Sequence, residues 1–136
     1  MIFIKIRLTS RTERRIKVED EAKQKLIDAG VNFNAGMTRF MNKEDIYLKF
    51  LKRIEGDENF NLLRQKINEG NAKGAFEVAH TIKGVCANLS IDGINAVVDP
   101  MVEILRSGSL ENVEQMMEEV DRIYEGVVQA IREVCG

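Results

Sequence analysis

Residues 72–89 read Ala-Lys-Gly-Ala-Phe-Glu-Val-Ala-His-Thr-Ile-Lys-Gly-Val-Cys-Ala-Asn-Leu, and the fold is decided there. Ala72, Ala75, Ala79, Ile82, Cys86 and Leu89 recur at spacings of three and four, the seam that a helix turns toward a core. Asn71 stands in front of the run as a helix cap, so the pattern predicts a helix over 72–89. His80, the single histidine among 136 residues, falls one residue off the seam. Because a helix advances 3.6 residues per turn, it is rotated by about 100° from the buried stripe. Lys83 and Gly84 follow at i+3 and i+4, one turn away on the same side, and Ala87 extends that flank.

This flank is poor architecture. A glycine inside a helix costs roughly 1 kcal/mol relative to alanine, yet its bare backbone lets another molecule approach closely. An imidazole with an ordinary pKa of about 6.5 is largely neutral at pH 7 and able to act as a nitrogen nucleophile. A lysine one turn away can offset the charge of a phosphoryl group placed on that ring. Taken singly, the same residues read as a surface histidine, a solvated lysine and a tolerated glycine. Their combination points to chemistry.

The run Ala79-His80-Thr81-Ile82-Lys83-Gly84, with small residues at Cys86 and Ala87 and then Asn88-Leu89, resembles histidine-containing phosphotransfer (HPt) domains of two-component phosphorelays. The similarity extends over about Asn34 to Glu133 and is sharpest around His80. The resemblance implies that His80 is the phosphoacceptor, Lys83 the phosphoryl-stabilising cation, and Gly84 with Ala87 the point of close approach. It implies receiver domains of response regulators as partners, with a hybrid histidine kinase upstream, and no cofactor on this chain, since Mg²⁺ belongs to the receiver. Two positions depart from the family pattern. Ser90 stands where glycine is usual, and Val102, twenty-two residues beyond His80, stands where many members carry a polar residue that orients the imidazole. Glu103 is adjacent and is the candidate for that orienting role.

Composition agrees with a helical single domain. The chain is 44% hydrophobic and 31% charged, with one proline and no tryptophan. A net charge of −2 gives no reason to expect nucleic acid. No apolar run approaches the ~18 residues of a membrane span, and Lys5 and Arg7 interrupt the start of the chain where a secretory signal would be apolar. The expectation is a cytoplasmic monomer. Cys86 and Cys135 lack metal-like spacing, and with one histidine no metal site is expected. A lone surface histidine offers no enclosed pocket, so a self-contained enzyme is not expected either.

Outward from the histidine helix, the rest of the chain follows the same period. Acidic residues Glu19, Asp20 and Glu21 open a helix that Gly30 stops. Asn34 then offers a cap for a short helix carrying Met37, Phe40 and Met41, and Asn42 a cap for one carrying Ile46, Tyr47, Phe50, Leu51 and Ile54. Phe60, Leu63 and Ile67 mark the next helix. Beyond Ser90, Asp92 is read as the cap of a helix that contains Pro100, which predicts a kink or a broken start near Val98–Pro100. Ser109 is read as the cap of the last helix, whose apolar face runs from Leu110 to Val134. The predicted fold is all-α: an antiparallel four-helix bundle with one or two additional short N-terminal helices. Residues 1–18, where Ile2, Ile4, Ile6 and Leu8 alternate with charge before a basic run, are set outside the domain at 19–136. They read as a disordered extension, a start-site artefact or a strand-like arm.

Met37, Phe40 and Met41 are the candidate docking surface, because flexible thioethers suit a surface that accepts more than one partner. That surface also sustains an alternative function, a helical interaction module that binds a receiver or another signalling partner without phosphotransfer. A phosphoacceptor domain within a larger histidine kinase is a third reading.

Overall fold

The computed structural model describes residues 20–135. The 1–18 extension lies outside them. Helix α1 covers residues 20–29, followed by α2 (Phe33–Arg39), α3 (Glu44–Lys52) with a 3₁₀ turn at Arg53–Gly56, α4 (Asn59–Asn68), α5 (Ala72–Leu89), α6 (Asp92–Arg106) and α7 (Val113–Cys135). Helices α4, α5, α6 and α7 form the predicted bundle, in which α5 packs between α4 and α6 and α7 closes the ring against both α6 and α4. Short connections make consecutive members antiparallel. The shorter α3 packs across α7 and α5, and α2 packs on α3 and α5. Among the described residues, no helix is long and apolar enough to cross a membrane.

Helix α5 has the predicted bounds. The Asn71 side chain accepts a hydrogen bond from the Gly74 amide at 2.8 Å, and Ala75, Ala79, Ile82, Cys86 and Leu89 are buried. Ala72 is only half-buried, and Val78 joins the core beside the seam. Cys86 is a free thiol whose burial pushes its pKa up to about 12, in keeping with a small apolar core residue. At the far end Ser90 adopts the left-handed conformation (φ 58°, ψ 39°). There Ile91 N–H reaches the Cys86 carbonyl at 2.8 Å and Ser90 N–H the Ala87 carbonyl at 3.2 Å. This closure is the one glycine supplies most easily, and a non-glycine residue there costs roughly 1 kcal/mol. Ser90 thus takes the left-handed closure that glycine makes most easily.

The N-terminal segment grips that same corner. Asn32 N–H donates to the Ser90 carbonyl at 2.7 Å, and Gly93 N–H to the Gly30 carbonyl at 2.8 Å. The Asn32 amide donates to Asp92 at 3.0 Å, and the buried Tyr47 hydroxyl donates to the Leu89 carbonyl at 2.8 Å, satisfying one of the orphan acceptors of the α5 C-terminus. Burial raises the Tyr47 pKa, with Asp92 adding to it. Phe33 packs edge-on to Tyr47 at 5.6 Å. Gly36 lies directly against the end of the Tyr47 ring: a Cβ there would overlap Cζ and the hydroxyl. Since Tyr47 is fully buried, we expect Gly36→Ala to destabilise the domain by about 2–3 kcal/mol, the cost of overpacking a filled core. Urea unfolding measures this, and parental or greater stability in the variant would contradict the fit.

Several expected boundaries are corrected. The cap of α2 is Asn32, whose side chain accepts from Ala35 N–H, so Asn34 lies inside the helix and Met41 beyond its end. Asn42 does not cap α3. It and Met41 take positive φ of 61° and 58° in the connecting turn, and Lys43 occupies the cap position without a side-chain bond. The position before α6 is Ile91, with Asp92 as the first helical residue. Pro100 does not break α6, which is continuous across it. Pro100 and Ala96, whose carbonyl loses its helical partner to the missing N–H, are both exposed residues. Ser109 closes only a local turn onto Glu111 N–H, and α7 begins at Val113 after Asn112 in a left-handed conformation.

Candidate functional site

Fully buried Ala79 and Ile82 anchor the middle of α5, and their neighbour His80 emerges on the exposed side. Gly84 and Ala87 are exposed as well, and Lys83 is half-buried. Among the described residues a Cβ at Gly84 would meet nothing within 4 Å, so none of their packing explains the glycine. The predicted flank is thus a continuous strip of surface: an imidazole, an ammonium, and a bare backbone at the turn above.

Helix α6 supplies the border of this strip. The Asn95 amide donates to the Lys83 carbonyl at 3.0 Å, while its own carbonyl oxygen is buried without a partner among the described residues. The Lys83 ammonium sits 3.8 Å from Asp99, with both side chains substantially in solvent. Such a pair contributes roughly 0–1 kcal/mol, little enough for the ammonium to be diverted to another anion. Val102 is fully buried and apolar. Glu103 is exposed, and its carboxylate accepts from Arg106 Nε at 3.2 Å rather than from His80. Among the described residues, the His80 imidazole makes no hydrogen bond or ion pair within the chain. Its ring contact is with Phe76, one turn earlier: the two rings are nearly parallel, 20° apart in plane, with centroids separated by 5.9 Å. The Arg106 guanidinium lies over the Phe76 ring at 4.9 Å.

Met37, Phe40 and Met41 are brought near one another but are unequal. Met37 and Phe40 pack on the core edge, whereas Met41 is 78% exposed. Phe40 leans on Tyr47 at 5.2 Å and on Phe50 at 5.6 Å. Phe50, expected on the core face of α3, is on the surface with Ile46, and Arg53 stacks over its ring at 4.4 Å. Between these residues and the C-terminal half of α5 runs an open groove of about 430 Å³. It is lined by Arg39, Phe40, Phe50, Arg53, Val85 and Asn88. Asn88 lies one turn beyond Gly84 and two beyond His80 on α5, so the groove opens beside the histidine strip. Sequence reasoning missed Phe50, Val85, Asn88 and the two arginines as surface features. A larger apolar face on α3 than one neighbour can cover was the only signal.

What this arrangement can do is limited and specific. It exposes an imidazole nitrogen on a helix, puts a cation within a turn of it, and leaves accessible surface beside an open groove. Among the described residues no group of three or more His, Cys, Asp or Glu side chains is gathered that could hold a metal ion. The family model for the Hpt domain matches residues 52–130, more than half of the chain, from the end of α3 into α7 and including all of α5. No curated protein and no solved structure matches the chain.

Proposed function

Because the chain belongs to the Hpt domain family, whose members are phosphocarrier modules of histidine phosphorelays, we propose that His80 accepts a phosphoryl group from a receiver-domain aspartate and passes it to another receiver. The observation that carries this reading is the placement of His80, exposed on a buried-seam helix with Lys83 one turn away and open space at Gly84. A phosphorylated receiver docks over the strip, its apolar contacts falling on Phe40, Phe50 and Met41. The neutral imidazole nitrogen attacks phosphorus in line. A nitrogen–phosphorus bond forms as the phosphorus–oxygen bond to the aspartyl carboxylate breaks, and the electron pair leaves on that carboxylate. Phosphoryl transfer needs positioning and charge compensation more than covalent chemistry from the protein. Lys83 moves from Asp99 to the incoming phosphoryl oxygens. The Mg²⁺ that such transfer requires sits with the receiver's own acidic residues.

Incubation with a phosphorylated receiver, or with a small phosphoramidate donor, tests this by intact mass. One acid-labile phosphoryl adduct per chain is expected. No adduct with any of several competent receivers would overturn the carrier reading and favour a non-phosphorylated interaction module that uses the same groove.

A further inference from the structure

The His80 ring makes no hydrogen bond among the described residues, so no polar contact within them selects its orientation. Yet it is not alone on the surface. Phe76 precedes it by four residues, the spacing that brings two side chains together on one helix face. The ring planes are 20° apart at 5.9 Å, an offset stacked pair. Phe76 is held in turn: it is half-buried against the core, and Arg106 from α6 covers its ring at 4.9 Å, within the range of a cation–π contact. Arg106 is steadied by Glu103 at 3.2 Å. Glu103, Arg106, Phe76 and His80 therefore form a chain of contacts from α6 to the imidazole. The carboxylate that the sequence suggests as a direct partner stands at its remote end.

We infer that Phe76, braced by Arg106, is a positioning residue for His80: it holds the imidazole by ring stacking where the apolar Val102 offers no hydrogen bond. The inference rests on His80 being the phosphoacceptor. A ring already held in one orientation loses less freedom on reaching the in-line geometry, so the effect is read in the rate of phosphoryl uptake by the folded protein.

The single histidine makes the test direct, because histidine-labelled protein gives one set of ring resonances in NMR. In the parent, the ring-current field of Phe76 displaces the His80 ring protons from free-histidine positions. Phe76→Leu, which keeps an apolar side chain at the core edge, is expected to return them toward those positions. The same variant should slow uptake from phosphoramidate about fivefold, equivalent to ~1 kcal/mol in barrier. Phe76→Tyr keeps the ring and should restore both. Arg106→Gln, an exposed change, should move the resonances in the same direction as Phe76→Leu by a smaller amount, and it keeps the test available if the leucine variant folds poorly. Unchanged resonances and parental uptake in folded Phe76→Leu would overturn the inference, as would failure of Phe76→Tyr to restore them. Absence of any adduct in the parent would count instead against the phosphoacceptor reading, while the resonances would still decide whether Phe76 holds the ring.

Discussion

A His80→Gln variant is expected to take up no phosphoryl group, from receiver or from phosphoramidate, and to keep the helical content of the parent. Two physical facts set the size of this effect. The amide nitrogen of glutamine has its lone pair delocalised into the carbonyl, so the nucleophile is removed and not merely weakened. The side chain being replaced is exposed and makes no hydrogen bond among the described residues, so what the fold loses is the contact with Phe76. Surface changes of this kind shift stability by about 0.5 kcal/mol or less. Intact mass and circular dichroism on the same sample separate the two quantities. An adduct surviving in the variant would place the acceptor elsewhere, and a loss of helicity would contradict the surface position of the ring.

The second large effect is expected at Gly84, and it separates function from stability. Gly84→Gln puts a side chain into the space where a Cβ meets nothing within 4 Å. Within this chain the change is favourable, because an interior helical glycine is roughly 1 kcal/mol worse than a good helix former. We therefore expect the variant to be about 1 kcal/mol more stable than the parent in urea unfolding. On the proposed function, the same side chain stands in the path by which a receiver reaches the strip that carries His80. Since displacing reacting groups by about 1 Å can cost a hundredfold, transfer from a phosphorylated receiver should fall by about that factor or more. Uptake from small phosphoramidate, which needs no docked protein, should change far less. Parental transfer from the receiver would show that Gly84 lies outside the approach path. A less stable variant would mean that the glycine has a structural purpose in the fold.

The two substitutions probe different parts of one arrangement. In the proposed relay His80 supplies the chemistry, and Gly84 keeps backbone exposed at a site where helix propensity would favour a side chain. In the same proposal the groove beside them, lined by Arg39, Phe40, Phe50 and Arg53, offers a receiver apolar area to bury and cations to meet acidic residues.

Much of α5 was legible without coordinates. Its start at Asn71, its end at Leu89 and its buried seam follow from capping and from the 3.6-residue period, which act over a few neighbouring residues. His80, Lys83 and Gly84 share a flank for the same reason. Local rules failed where several residues could satisfy them equally. Asn32 and Asn34 are both good caps, and Asn32 caps α2 in the fold that joins its backbone and side chain to Ser90 and Asp92 across the molecule. Ser109 met the local rule for a cap before α7 yet closes only a turn onto Glu111, and α6 runs through Pro100 without the expected break.

By itself, then, the amino-acid order determined the helices, the buried stripe of α5 and the strip that bears the histidine, because each depends on short-range periodicity. Only the tertiary structure decided what borders that strip. Arg106 meets Phe76 across thirty residues of sequence, Lys83 meets Asp99 across the α5–α6 pair, and Phe50 comes to the surface beside the C-terminal half of α5. These contacts depend on how helices lie against one another, and the rotation of one helix on its neighbour is set by the packing of the whole core.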